Sequence, residues 1–171
     1  MSAQTQQKQS LPIIIDVEAS GFGFNSYPIE IGLAMEDGAT RCFLIKPEPG
    51  WVHWSPDSEN LHGISRETLS KYGRSVKEVG TILNQMLAGK TVYSDGWSYD
   101  QSWLNLLFVF AKQPLQFRLE AITYLLNEEQ LNAWTRVKHE LIDQLEFKRH
   151  RASNDALILQ RTFSVISKYS G

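Results

Sequence analysis

The sequence predicts an α/β protein in one domain, with a mixed five-stranded sheet flanked by helices. Three short apolar segments come first, and helical spacings then alternate with two further short strands, which is typical of helices packed on a mixed sheet. The 171 residues, 42% of them hydrophobic and 21% charged, are enough for one core of ordinary composition. Neither a repeat nor a second-domain boundary interrupts the pattern.

The first predicted strand covers residues 11–18 and ends in two acids. Its three consecutive isoleucines favour a strand covered on both faces. Side chains alternate along a strand, so Asp16 and Glu18 point the same way while Val17 points into the core. Two such carboxylates repel each other unless a cation or protons compensate. A solvated strand end is the plain alternative, but hard cations such as Mg2+ prefer clustered carboxylate oxygens.

The other strands follow from short apolar runs bounded by turns. Residues 29–35 and 40–46 predict an antiparallel hairpin, because only a Glu-Asp-Gly turn separates them. A fourth strand is predicted at 91–94. At 117–121 apolar residues alternate with polar ones, which predicts a fifth.

Four helices are predicted from apolar residues at helical spacing, over 75–87, 99–111, 128–145 and 153–167. Ser65 predicts the cap of a short helix, and Asn127 and Ser153 predict caps of the last two long ones. Residues 51–63 are predicted to be irregular.

Composition limits the class of protein. No apolar run approaches the length of a membrane span, and the polar first ten residues lack a signal-peptide pattern. We therefore expect a cytoplasmic protein with a loose tail at 1–10 and one domain at 11–171. The single Cys42 excludes an internal disulfide. A net charge of −2 argues against a protein that coats nucleic acid non-specifically.

Three stretches carry chemistry-bearing residues, and each is weak alone. The first is Asp16-x-Glu18. The second is Asp100 at the opening of a helix, with Asp95 as a competing acid five positions earlier. The third is His150-x4-Asp155, where Asp155 opens the last helix. An acid in a first helical turn ordinarily complements the helix dipole, and a histidine in a basic run is ordinarily solvated.

Together, and in this order, the stretches resemble the DEDDh group of DnaQ-like 3′–5′ exonucleases, whose fold is ribonuclease H-like. The resemblance runs from about Pro12 to Ile166. Its motifs match residues 16–22, 29–32, 61–64, 99–100 and 150–156.

The resemblance implies that Asp16, Glu18, Asp100 and Asp155 bind two metal ions and that His150 is the general base. Ligation by oxygen alone favours Mg2+ or Mn2+ over Zn2+. The implied reaction releases nucleoside monophosphates from single-stranded DNA or RNA 3′ ends. Residues expected to bind this substrate are Ser20, Gly21, Phe22, His62 and Trp97.

Two other classes of function stay open at this stage. One is a non-catalytic nucleic-acid-binding module that kept the fold, although an intact set of five site residues argues against it. The other is a different ribonuclease H-like nuclease or nucleotidyl transferase, which leaves the His-x4-Asp spacing unexplained. The choice between DNA and RNA as the substrate is open. The oligomeric state is open as well, although a homodimer or a free-standing enzyme is favoured over a subunit of a larger complex.

Overall fold

The predicted mixed five-stranded sheet, in one domain with helices on both faces, is confirmed. In the computed structural model, residues 10–144 and 149–168 are described. The strand order is β3-β2-β1-β4-β5. The strands are β1 Ile13–Ala19, β2 Pro28–Ala34, β3 Thr40–Leu44, β4 Thr91–Ser94 and β5 Arg118–Ala121. The predicted tail, except for residue 10, and Lys148 of the basic connector lie outside the described residues.

The directions of the strands place the end of β1 at the centre of one sheet edge. β2 runs antiparallel to β1 and to β3, which confirms the predicted hairpin. β4 runs parallel to β1 and to β5. The carboxyl ends of β1, β4 and β5 therefore meet at the same edge of the sheet.

Six α-helices cover the sheet within the described residues. They are α1 Pro56–His62, α2 Arg66–Tyr72, α3 Val76–Leu87, α4 Trp97–Ala111, α5 Glu128–Gln144 and α6 Ala152–Ile166. The predicted cap at Asn127 is confirmed, because its Oδ1 accepts the Gln130 N–H at 2.9 Å. Nowhere in 10–144 and 149–168 is there a helix long and apolar enough to cross a lipid bilayer.

The prediction that residues 51–63 are irregular is wrong, because α1 lies there. Ser55 caps this helix by accepting the Ser58 N–H, and Pro56 takes the first helical position. Gly63 ends it with φ +69°. The helix has only seven residues, too few for apolar periodicity to reveal it.

The predicted cap of the last helix is also wrong. Ser153 lies inside α6, whose N-cap residue is Arg151 and which has no hydrogen bond from that residue's side chain to its own first turn. A carboxylate from another strand takes the role of a cap: Glu30 Oε2 on β2 accepts the Ala152 N–H at 2.9 Å. A cap supplied from 122 positions away leaves no local sequence signal.

β1 is buried on both faces, as the isoleucine run predicts. Ile13, Ile15 and Val17 pack in the layer that contains α3 and α4. Ile14 packs in the other layer, with residues of α5 and α6. Because side chains alternate, Asp16 and Glu18 project toward the α5–α6 side at the end of this strand.

Candidate active site

One cavity at the carboxyl end of β1 brings together the acids that the sequence singled out. Asp16 and Glu18 at the end of β1 line this cavity. Asp100, from the first turn of α4, and Asp155, from the first turn of α6, line it as well. His150 completes the lining set of five predicted residues.

The cavity follows from the chain topology. β4 lies next to β1 and parallel to it, so the turn after Ser94 emerges beside the two acids of β1. α4 begins directly after this turn, which places Asp100 over the same sheet edge. α6 begins over the adjacent strand β2, where Glu30 accepts the N–H of its first residue. Residues far apart in sequence thereby meet at one edge.

Burial and mutual repulsion raise the pKa values of all four carboxyl groups. The pKa of Asp16 is well above its ordinary value, first through burial and then through the charges of Asp100, Glu18, Asp155 and Asp95. Asp16 is therefore the carboxyl group whose pKa is raised by the charges of all the other acids of the cavity. Burial, followed by the charge of Asp155, raises the pKa of Glu18 to about 7.

The other two acids behave in the same way. Burial raises the pKa of Asp100 to about 7, and the hydroxyl of Ser94 opposes this rise. Burial also raises the pKa of Asp155, against the nearby charge of Arg149. The four groups hold protons more tightly than free carboxyl groups, which is the condition that a divalent cation would reverse. The oxygen-rich donor set thus fits Mg2+ or Mn2+.

These pKa values predict that the metal-free protein loses stability as the pH rises from about 5 to about 8. Glu18 and Asp100 titrate at about 7 in the fold, against ordinary values of 4.5 and 3.8, so the folded state holds protons that the unfolded chain has released. The stability that these two groups contribute is therefore fully present below their ordinary values and is lost as the pH rises through about 7. By scanning calorimetry in chelator, we expect a fall in Tm of about 10 °C or more.

Saturating Mg2+ should reverse most of that fall, because a bound cation removes the penalty on the ionised groups. An Asp16→Asn variant should show a smaller fall in chelator, since one of the four groups no longer titrates. A Tm that stays constant or rises with pH in chelator would contradict the raised pKa values.

His150 stands beside two of the acids in an unusual backbone conformation. Its φ is +61°, in the left-handed region that non-glycine residues seldom occupy. Its backbone N–H donates to Asp155 Oδ2 at 2.8 Å. A ring nitrogen of His150 and carboxylate oxygens of Glu18 and Asp155 all lie within 4.8 Å of one another. The histidine that the sequence singled out therefore lies within 4.8 Å of two of the carboxylates.

The residues predicted to bind substrate divide into two groups. Gly21, Phe22 and His62 line the cavity. Ser20 does not, because its hydroxyl is bonded to His53 Nδ1 at 2.9 Å and accepts the Tyr27 N–H at 3.1 Å, holding the loop after β1.

Trp97 does not line the cavity either. Its indole Nε1 donates to the Leu119 carbonyl at 3.1 Å, on β5. His62 is almost fully buried, and its Nδ1 accepts the Ile64 N–H at 3.1 Å. Burial lowers the pKa of His62, which favours the neutral ring.

A cluster of three aromatic rings borders the acids, and Phe22 and Tyr99 are its exposed members. Phe22 is 67% exposed although it packs on two other rings. Its centroid lies 5.3 Å from that of Tyr99 and 6.0 Å from that of Trp103, and the Tyr99 and Trp103 rings stack at 5.7 Å. The sequence singled out Phe22 but not Tyr99. The signal for Tyr99 was its position one residue before Asp100 and four before Trp103, on one helix face.

Sequence reasoning also missed a charged pair that lines the cavity. Lys138 of α5 lines the cavity, and its Nζ lies 2.6 Å from Asp95 Oδ2. Asp95 lines the cavity too, so both acids that competed for the second motif face it. Nothing in the local pattern of α5 distinguishes Lys138 from the other polar residues of that helix.

Comparison with known proteins gives similarity in structure only. No protein-family model matches the chain, and no curated protein matches it. Zinc-bound E. coli exonuclease I in complex with single-stranded DNA superposes with a TM-score of 0.75 at 11% identity, over 95% of this chain and 41% of that one. The same enzyme with a dT13 oligonucleotide gives 0.73 at 11% identity, over 93% and 41%. This chain has the fold of the matched two fifths of exonuclease I.

A product-bound exonuclease I structure agrees, with a TM-score of 0.67 at 10% identity over 92% of this chain and 44% of that one. The predicted ribonuclease H-like fold is therefore confirmed. The chain spans about two fifths of the length of the exonuclease I structures that it matches. Identity this low shows the fold, whereas function has to be argued from the site itself.

Proposed function

We propose that this protein is a metal-dependent 3′–5′ exonuclease of the DEDDh type that releases nucleoside monophosphates from single-stranded nucleic acid ends, with residues 11–171 as its exonuclease domain. The observation that carries this proposal is the meeting of Asp16, Glu18, Asp100, Asp155 and His150 in one cavity. The exonuclease I structures with single-stranded DNA support the substrate class through the shared fold.

The four carboxylates of Asp16, Glu18, Asp100 and Asp155 would hold two Mg2+ or Mn2+ ions. Such ions supply a water of lowered pKa and offset negative charge on the phosphate and the leaving oxygen. The chain contributes a fixed set of anionic oxygens on rigid elements: the central strand β1 and the first turns of α4 and α6. That rigidity keeps the ligands in place before substrate arrives.

His150 acts as the general base that takes the proton of the attacking water at a ring nitrogen. Imidazole is the side chain that most often serves as a general base in enzymes, which suits this role. The bond from its backbone N–H to Asp155 ties the base to one of the proposed ligands. Movement of the His150 backbone is thereby coupled to movement of the Asp155 carboxylate.

Phe22 provides a stacking surface for a base at the single-stranded end. Base–aromatic stacking contributes about 1–3 kcal/mol per base. We expect Phe22→Ala to weaken binding of a short single-stranded oligonucleotide by about 10-fold or more, measured by fluorescence anisotropy in Ca2+ to prevent cleavage. Phe24→Ala is the matched control, because Phe24 is 92% exposed in the same loop and does not line the cavity. Equal affinities for both variants and wild type would remove Phe22 from the binding surface.

The reaction is tested with 5′-labelled and circular single-stranded substrates. A 3′–5′ exonuclease shortens the labelled strand in single-nucleotide steps and leaves a circle intact, whereas an endonuclease cuts the circle. The cleavage rates of matched DNA and RNA strands show which polymer is preferred. A contact to the 2′ hydroxyl is what would distinguish RNA from DNA. Intact strands under all conditions, with binding retained, would instead support the non-catalytic binding module.

A further inference from the structure

We propose that Glu30 is a positioning residue for the proposed general base His150, which it holds through Arg151 and the first turn of α6. The inference rests on the function proposed above, since it assigns Glu30 to the same site. It goes beyond that function because Glu30 does not line the cavity and contacts neither the four proposed ligands nor the ring of His150 in any recorded hydrogen bond. Glu30 lies opposite Glu18 in the β1–β2 pairing, and its charge acts on that acid directly. Its proposed route to His150 is a separate one and runs through Arg151 and the Ala152 N–H.

Glu30 is a fully buried carboxylate in the middle of the apolar strand β2. Its oxygens accept from Arg151 Nε at 3.0 Å and from Arg151 Nη2 at 2.5 Å. They also accept from the Ala152 N–H at 2.9 Å and from Cys42 Sγ at 3.0 Å. A buried charge is tolerated when it is paired and hydrogen-bonded in this way.

The bonds keep Glu30 ionised. Burial alone would raise the pKa of Glu30, but the hydrogen bonds from Arg151, Cys42 and Ala152 hold it below the ordinary value. Glu30 thus differs from the acids of the cavity, whose pKa values rise. Its charge is already compensated by the protein, so it has no need of a cation. This argues for a positioning role and against metal ligation.

The two residues that directly follow His150 both donate hydrogen bonds to Glu30. His150 sits at φ +61°, a conformation that surrounding contacts must maintain. Two carboxylates fix the backbone on either side: Asp155 accepts the His150 N–H, and Glu30 accepts the Ala152 N–H. The pair from Arg151 adds a second, two-point attachment to the same strand.

The backbone of β2 meets this turn without any space between them. A Cβ added at Gly32 would lie 2.0 Å from the Ala152 carbonyl carbon and 2.1 Å from the Ser153 nitrogen. Glu30 and Gly32 are two positions apart and so share one face of β2. Glu30 provides the charge that binds the start of α6 to β2. Gly32 has no side chain, which allows the two backbones to approach closely. The orientation of His150 is therefore set by β2.

Glu30→Gln tests the proposal, because it keeps the size of the side chain and removes its charge. Arg151→Lys is the second variant. It keeps the positive charge but loses the two-point attachment, and because the Arg151 side chain is 34% exposed, the fold should tolerate it. Glu36→Gln is the matched control, since Glu36 forms an exposed ion pair with Lys90 away from the site.

Two readouts separate a positioning role from a merely structural one. The first is turnover of single-stranded DNA well below the Tm of each variant. We expect kcat to fall about 10-fold or more in both variants with KM within about 2-fold, because neither residue touches substrate. The second is amide hydrogen exchange by NMR. We expect the His150 N–H to exchange about 10-fold faster in both variants, with Ile158 in mid-α6 unchanged.

The proposal is overturned if both variants fold and retain wild-type kcat and wild-type exchange at His150. If Glu30→Gln does not fold, Arg151→Lys decides by the same two readouts. Should wild type degrade no nucleic acid, the proposed function fails, but the exchange readout still shows whether Glu30 holds His150. Faster exchange with unchanged kcat would leave Glu30 a structural residue and refute its role in positioning the base.

Discussion

Replacement of Asp16 by asparagine is expected to lower nucleotide release by about 10³-fold or more. Asp16 lies on the central strand, and its pKa is raised by each of the other acids of the cavity, so its charge would act together with theirs to hold a divalent cation. An amide keeps the shape but lacks the charge that offsets a divalent ion. The measurement is single-turnover cleavage of 5′-labelled single-stranded DNA in Mg2+.

The same substitution should leave the metal-free fold intact or stabilise it. Burial and repulsion disfavour the ionised form of Asp16, and asparagine removes that cost at neutral pH. Loss of activity together with an unchanged or higher Tm in chelator would identify a residue kept for chemistry at the expense of stability. Asp37→Asn is the control, because Asp37 caps a surface turn and an amide oxygen can accept the same Ala39 N–H. Full activity of Asp16→Asn would contradict the metal role.

Replacement of His150 by alanine is expected to lower turnover by about 10²-fold or more with the fold intact, as for loss of a general base. The side chain is half-buried, and the bond that ties residue 150 to Asp155 comes from the backbone, so alanine keeps this bond. The measurement is kcat on single-stranded DNA, together with the Mn2+ affinity of each protein. We expect the affinity to change far less than kcat, since the proposed ligands remain.

His139→Ala serves as the control, because His139 is exposed on α5 and does not line the cavity. Added imidazole should restore part of the lost rate in the His150 variant and have no effect on wild type. An unchanged rate in His150→Ala would exclude this residue as the base and would direct attention to a proton acceptor among the carboxylates.

Much of this architecture was predictable because its signals are local. The isoleucine run predicted a strand buried on both faces, and the alternation of side chains placed Asp16 and Glu18 together. The hairpin of β2 and β3 followed from a three-residue turn. Asp100 was predicted as a site acid from the motif resemblance, and it lines the cavity.

What the sequence could not reveal depends on contacts between distant segments. The true start of α6 is set by Glu30 on β2, so the local cap signal at Ser153 was misleading. Lys138 reaches the cavity only because α5 packs beside α6 in the folded chain. Ser20 and Trp97 share sequence neighbourhoods with site residues, yet their polar atoms are bonded to His53 and Leu119 and turn away.

The most direct test is a time course of 5′-labelled single-stranded DNA with purified wild type and Asp16→Asn side by side, in Mg2+, in Mn2+ and in chelator. The account predicts a ladder that shortens from the 3′ end for wild type with either metal, and none in chelator or for the variant at equal concentration. A ladder that persists in chelator, or that Asp16→Asn produces at the wild-type rate, would contradict a metal-dependent reaction at this cavity.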